Sequence, residues 1–334
     1  MINLKKILVP TDFSSGSKVA YEYAREMAER FNAQIDFIHV VPSMKYLTES
    51  ISNLGLPFDM DRDIYPHLVE KARQMTEEDI KQYIPNPYRG KSIVVIDRKP
   101  SEDIITMANN DGYDMIVMGA RGAHDDGVLK WGTITEKVIR HSNIPVLSVP
   151  GQMPEHGIQK ILLPTDLSET SFEGLSLAVT IAGIFESELT LFHVLELYGS
   201  ASENTPRDPS KSELEDIDQK LYKSMSDALE NQTKIKAYLE RVPYQLYDHI
   251  VVEMNGDEAT IRFYTKVVKG ISAHYEIVDF ATDNMDLIVM GTHGRSGLKH
   301  LFLGSNTEKV AQHSKVPVIT FRSHKVIAKE TEKQ

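Results

Sequence analysis

KKILVPTDFS at residues 5–14 returns as QKILLPTDLS at residues 159–168. Three further blocks follow in the same order. AQIDFIHVV at 33–41 is matched by SELTLFHVL at 187–195, and YDMIVMGARG at 113–122 by MDLIVMGTHG at 285–294. WGTITEKVIRHSNIPVLSV at 131–149 is matched by LGSNTEKVAQHSKVPVITF at 303–321. Four ordered matches across most of each half make the chain a tandem duplication, with one supersecondary arrangement written twice. The offset between copies grows from 154 at Asp12 and Asp166 to 172 at Gly119 and Gly291, so the later copy carries 18 additional residues between those points. PGQMPEHGI, near 150–158, is rich in Pro and Gly and marks the boundary. The expected domains are 1–150 and 158–323.

Within each copy, apolar runs of strand length alternate with segments of helical periodicity. KKILVP is followed by KVAYEYAREMAERF, then by QIDFIHVV, SIVVI, SEDIITMANN, DMIVMG, ITEKVIRHS and PVLSV. Strand and helix in alternation predict a parallel sheet covered on both faces, and right-handed crossovers make it doubly wound. The fold class is therefore α/β, as two tandem Rossmann-like domains whose ligand crevices lie at the carboxyl ends of the strands. Residues 43–64 and 199–212 read as surface excursions, with long helices at 66–84 and 213–241. HIVVEM and IRFYTKVV flank the turn-like NGDEA, so part of the additional length is expected to form a hairpin near 248–268.

Of the 334 residues, 41% are hydrophobic and 25% charged, which fits folded, soluble domains of ordinary size. The formal charge of −11 repels nucleic acid and anionic membrane surfaces, so any phosphate must be gripped locally. There is no cysteine, which excludes disulfides, zinc–thiolate sites and thiol nucleophiles. No apolar run reaches the length of a membrane span, and the strand-like start of MINLKKILVPTDF leaves no room for a secretory signal. The expectation is a cytoplasmic protein with neither membrane nor nucleic acid as partner.

Both copies share a skeleton of Gly, two residues, Gly, nine residues, Gly and a hydroxyl residue. In the first it is Gly119, Gly122, Gly132 and Thr133; in the second, Gly291, Gly294, Gly304 and Ser305. Each skeleton begins at the end of an apolar strand and ends where a helix opens. Glycines let the backbone approach a ligand closely, and free N–H groups at a helix start favour anions, so this spacing suits phosphate. Thr135 and Thr307 continue the hydroxyl series. The same residues would also serve as a plain turn and N-cap. HExxH, GxSxG, Walker P-loop and GxGxxG patterns are absent.

With PTDFS and PTDLS, IHVV and FHVL, VMGARG and VMGTHG, and the glycine skeleton, the chain resembles a tandem universal stress protein of the ATP-binding subgroup. The resemblance covers nearly the whole chain apart from the excursions, the hairpin and the C-terminal tail. It implies that Asp166, beside Pro164 and Thr165, faces the ribose or adenine, and that the Val194 backbone meets the base. It further implies that Met290, Gly291, Gly294 and Arg295 approach the nucleotide, with Gly304, Ser305, Asn306 and Thr307 taking the phosphates. The first-copy equivalents are Pro10, Thr11, Asp12, Val40, Met118, Gly119, Gly122, Gly132, Thr133, Ile134 and Thr135. ATP, with or without Mg²⁺, is the implied ligand. The resemblance also implies intramolecular domain pairing through PVLSV and PVITF, leaving homodimers and protein partners open.

The two sites are expected to differ. RSGLKHLFL in the second offers Arg295 and Lys299 to a triphosphate, whereas AHDDGVLKW in the first offers Asp125 and Asp126, which repel phosphate unless a divalent cation intervenes. His39 and His193, repeated after the second strand, read as packed hydrogen-bonded residues. His141 and His313 read as helix C-terminal charges. His293 stands where the first copy has Arg121. With no evident general base, the expected function is ATP-dependent binding in a stress response with at most weak hydrolysis. The alternatives are a slow ATPase or nucleotidyl-transferring enzyme, and a nucleotide-free scaffold or binder of another small ligand.

Overall fold

The computed structural model describes residues 3–44, 53, 59–97, 99–122, 132–197, 209–254, 256–292 and 303–322. The chain divides into two compact units, Leu4–Gln152 and Met153–Gln334, the latter joined by Met1–Asn3. Each is an α/β unit built on a parallel sheet.

In the first unit the strands are β1 (Lys6–Pro10), β2 (Gln34–Pro42), β3 (Arg89–Asp97), β4 (Met115–Gly119) and β5 (Val146–Val149). They lie in the order β3-β2-β1-β4-β5, all parallel. The helices are α1 (Ser15–Phe31), the short α2 (Met60–Asp63), α3 (Tyr65–Tyr83), α4 (Pro100–Asn110) and α5 (Thr133–His141). Central strands covered on both faces carry continuous apolar runs. Ile7, Leu8 and Val9 of β1 are fully buried, each side chain contributing roughly 2 kcal/mol on transfer from water. Helix α1 buries Ala20, Tyr21, Ala24, Met27, Ala28 and Phe31, the three-and-four spacing of a helix seated on a sheet. Ser14 caps its start, and Asn32, in the left-handed region at φ 53°, ends it.

The second unit repeats the order. β6 (Lys160–Pro164), β7 (Glu188–Glu196), β10 (Asp257–Gly270), β11 (Leu287–Gly291) and β12 (Val318–Phe321) form the parallel series β10-β7-β6-β11-β12. Its helices are α6 (Glu169–Phe172), α7 (Leu175–Phe185), α8 (Lys211–Glu230), α9 (Ala273–Asn284) and α10 (Ser305–His313). The counterpart of α1 is broken into α6 and α7 at Gly174. A Cβ there would lie 2.0 Å from the Phe321 ring. The first copy has Ala20 and Val149 at these two positions, and α1 runs through unbroken.

Two expectations are corrected. The hairpin at 248–268 is real as a pairing of β9 (Asp248–Met254) with β10, but β10 is not an added strand. Its Phe263–Gly270 half pairs with β7 exactly where β3 pairs with β2, so the additions are Asp257–Arg262 of β10, β9, and β8 (Ala237–Glu240), which lies antiparallel beyond β9. The helix expected over 213–241 stops at Glu230, with Asn231 as its C-cap. Beyond it the burial of residues 237–240 alternates, the period of a strand rather than a helix. Of the excursion at 199–212, residues 199–208 lie outside the described residues, and Lys211 already opens α8. Among the described residues no helix is long and apolar enough to cross a membrane.

Candidate functional site

The Pro-Thr-Asp repeat forms the same turn in both copies, at the carboxyl end of β1 and of β6. Thr11 and Thr165 are buried; their N–H groups extend the ladder to Ile38 O (2.9 Å) and Phe192 O (2.8 Å). Their hydroxyls turn back to accept the N–H of Phe13 (3.0 Å) and Leu167 (2.9 Å). Phe13 and Leu167 both sit at positive φ, 63° and 64°, which costs a side-chain-bearing residue ~1 kcal/mol and persists only where neighbours impose it. The carboxylates of Asp12 and Asp166 accept the N–H of Ser14 and Ser168, both at 3.0 Å, and the hydroxyls of the same serines. Each serine oxygen in turn caps the following helix by accepting from Ser17 N–H (3.1 Å) or Ser171 N–H (3.3 Å). The carboxylate is thereby fixed in direction at the mouth of the sheet.

The glycine skeleton closes on this turn. In the first unit a Cβ on Gly119 would lie 2.0 Å from Gly16 O, so only glycine lets the end of β4 pass the start of α1. A Cβ on Gly122 would lie 3.2 Å from Asp12 Oδ2, which places that backbone directly against the carboxylate. Gly132 N–H donates to Ala120 O (3.0 Å), and in the second unit Gly304 N–H donates to Thr292 O (2.7 Å). Asp12, Gly119, Gly122 and Gly132 are thus assembled at the carboxyl ends of β1 and β4. The same strands flank the point where the strand order reverses, the position at which doubly wound sheets take ligands.

Gly132 and Gly304 are the N-caps of α5 and α10, and neither helix start has a side-chain capping bond. Thr133 and Ser305 are the first helical residues and are exposed, so their hydroxyls are not caps. The first-turn N–H groups and the positive end of the helix dipole therefore face the crevice uncapped by a side chain. Ile134 and Asn306, the next residues along, are exposed as well.

Thr135 and Thr307 differ from Thr133 and Ser305. Both are buried, and their hydroxyls donate to Gly119 O (2.8 Å) and Gly291 O (2.7 Å). They pin the helix start to the strand end, and each hydroxyl hydrogen is engaged on that carbonyl. Met118 and Met290 are likewise buried, Met290 within the cluster of Leu162, Phe192 and Val310, so only their backbones reach the crevice. Pro10 and Pro164 end their strands buried.

Val40 and Val194 are placed by alternation. Ile38 and Phe192 turn their carbonyls towards β1 and β6, so residues two further along turn their peptide groups the same way, beyond the point where those strands have ended. Gly294, Arg295, Lys299 and His293, together with Asp125 and Asp126, lie outside the described residues. His39 and His193 donate from Nδ1 to Thr11 O and Thr165 O, both at 2.8 Å, the packed role expected of them. Among the described residues no group of His, Asp or Glu is arranged to hold a metal ion.

One element of the first site is not repeated. Thr11 Oγ1 is hydrogen-bonded to the Tyr21 hydroxyl, which donates to Asp79 Oδ2 (3.1 Å) on α3, and Lys18 Nζ meets Asp79 Oδ1 at 3.1 Å. Burial, together with the Asp79 charge, pushes the Tyr21 hydroxyl far above its ordinary pKa, so it remains a donor. The second copy has Leu175 where the first has Tyr21, and comparison of the repeats alone exposes that difference without its meaning.

Comparison with known proteins places this architecture. A family model described as "Universal stress protein family" matches residues 3–150 and again 157–322. The chain is similar to "Universal stress protein MJ0577" of Methanocaldococcus jannaschii, 29% identical over 153 residues, 43% of this chain and 94% of that protein. A universal stress protein of Mycolicibacterium smegmatis is 22% identical over 318 residues, 95% of this chain and 96% of that one. The crystal structure of a universal stress protein from Archaeoglobus fulgidus superposes with a TM-score of 0.60 at 20% identity, covering 95% of this chain and 96% of that chain, which is a likeness of fold.

Proposed function

The chain belongs to the universal stress protein family, and from that membership we propose that it binds ATP at the strand ends of both units and acts through nucleotide-dependent binding rather than rapid turnover. The observation that carries this reading is the pair of helix starts at Gly132 and Gly304. Neither has a capping side chain, and in the first unit Gly122 of the same skeleton lies against the Asp12 carboxylate that Ser14 holds.

The residues divide the ligand between them. Asp12 and Asp166 accept hydrogen bonds from the ribose hydroxyls, held in direction by Ser14 and Ser168. Val40 and Val194 offer backbone groups to the base. The triphosphate takes the N–H groups of Thr133, Ile134 and Thr135, or of Ser305, Asn306 and Thr307, with the hydroxyls of Thr133 and Ser305. Gly122 and Gly294 admit the phosphates, and Arg295 adds charge in the second site. Mg²⁺, where it accompanies ATP, would be carried by the phosphates. The second site is the tighter, because its loop supplies Arg295 and Lys299 where the first has Asp125 and Asp126.

Binding without fast turnover is the form of activity this reading assigns to the carboxylates. In this reading the carboxylates of Asp12 and Asp166, each held through one oxygen by a serine, are directed at the ribose hydroxyls and not at a water in line with the phosphates. A nucleotide that favours one arrangement of the crevice loops would then alter the surface offered to partners in the cell.

Native mass spectrometry of the purified chain with ATP and magnesium tests this reading. The expected result is up to two nucleotides per chain, with Gly304→Val lowering occupancy more than Gly132→Val. Absence of any adduct contradicts the reading, and equal effects of the two substitutions contradict the asymmetry.

A further inference from the structure

The outer edge of β3 carries features that the nucleotide reading does not use. Asp97 O accepts Ser43 N–H at 2.9 Å, so Asp97 faces β2, and by alternation Val95 and Ile93 do also. Ser92, Val94 and Ile96 therefore turn their N–H and C=O groups away from β2. Among the described residues no strand pairs with that side. An open sheet edge of this kind is a template for another extended chain.

Beside the edge runs an open groove of about 650 Å³ between β3 and α3. Arg73, Glu77 and Lys81 stand at successive four-residue steps on α3, and Arg89 and Lys91 stand on β3. Arg89 is held in place by donating from Nε to Ile84 O (2.7 Å) and from Nη2 to Lys81 O (2.8 Å), which makes it a preorganised cation. Four cations face one carboxylate, on a chain whose formal charge is −11. The Ser92 hydroxyl oxygen, in the groove wall, is buried and has no hydrogen-bond partner among the described residues. The second unit differs here. Its equivalent strand β10 begins six residues earlier, and that extension is paired with β9, while the neighbouring cleft mixes Glu215, Asp218 and Asp248 with Lys211 and Arg241.

We propose that the outer edge of β3 docks an extended acidic peptide segment of a partner protein, which adds as a strand to Ser92, Val94 and Ile96 and sets its carboxylates against Arg73, Lys81, Arg89 and Lys91. Backbone pairing supplies the affinity and the cationic rim selects the sign of the partner. A second copy of this chain meeting edge to edge would oppose two cationic rims, which disfavours it. A small phosphorylated molecule would use the cations but leave the strand edge unpaired.

Fluorescence anisotropy with the full chain tests this with three labelled probes: the peptide EVEVEVEV, its KVKVKVKV counterpart, and EVEVEVEV N-methylated at alternate residues. The acidic peptide binds; the basic and N-methylated peptides bind at least ~10-fold more weakly, and added salt weakens the acidic one. Arg73→Glu with Lys81→Glu reduces affinity by at least ~10-fold with the melting temperature preserved. Ile96→Pro removes an outward N–H while sparing the β2 ladder and weakens binding in the same direction. Equal binding of the N-methylated peptide would overturn strand addition in favour of a simple anion groove. No binding by the acidic peptide, or binding indifferent to both charge reversals, would overturn the proposal. The probe comparison on the unaltered chain decides even if a variant fails to fold.

Discussion

Thr133 and Thr135 are two residues apart, carry the same side chain, and have opposite fates. The first is exposed at the opening of α5; the second is buried and bonded to Gly119 O. Thr133→Ala is therefore expected to leave stability within ~0.5 kcal/mol and to weaken ATP binding. Thr135→Val removes a donor from a buried carbonyl and is expected to cost ~1–3 kcal/mol of stability. Chemical denaturation and ATP titration of both variants separate the two roles, and Ser305→Ala with Thr307→Val repeats the comparison in the second unit. Ser14 and Ser168 serve two purposes, capping a helix and directing a carboxylate. Ser168→Ala should cost ~1 kcal/mol as a lost cap and should weaken binding beyond what that loss of stability explains. A change in stability with unaltered nucleotide affinity would remove the orienting role. Sequence alone identified the hydroxyl series but could not sort it, because helical phase decides burial and a shift of two residues turns a hydroxyl from solvent to core.

At the scale of elements, the break between α6 and α7 has a specific cause. Gly174 leaves room for Phe321, where the first copy has Ala20 and Val149 at the equivalent positions. Gly174→Ala is expected to destabilise the second unit by ~2 kcal/mol or more through overpacking, and Phe321→Val added to it should recover most of that loss. Thermal denaturation of the two single variants and the double variant measures the coupling; simple additivity would contradict this account. The strands and helices of the repeated core were readable because each repeats its apolar pattern in both copies. The end of α8 and the strand β8 were not. KIKAYLE serves a helix or a half-buried strand on local pattern, and only its placement beside β9 selects the strand. The hairpin's second arm has no sequence match to β3, so the repeat alone assigns it to the added residues, although its pairing with β7 makes it the structural counterpart.

For the whole molecule, duplication supplied the fold. Four matched blocks put Asp12 and Asp166, and Gly119 and Gly291, at corresponding strand ends. The Tyr21–Asp79 link and the β3 groove emerge only from tertiary placement, since their members are far apart in sequence and lack a spacing rule. Duplication also accounts for the expected inequality of the sites, because each copy is free to vary around a shared frame. Isothermal titration calorimetry with ATP and magnesium tests the central claim most directly. Saturable heat is predicted, with two sites of different affinity, the tighter lost in Gly304→Val and the weaker in Gly132→Val. Heat indistinguishable from dilution would contradict the claim that these helix starts receive a triphosphate.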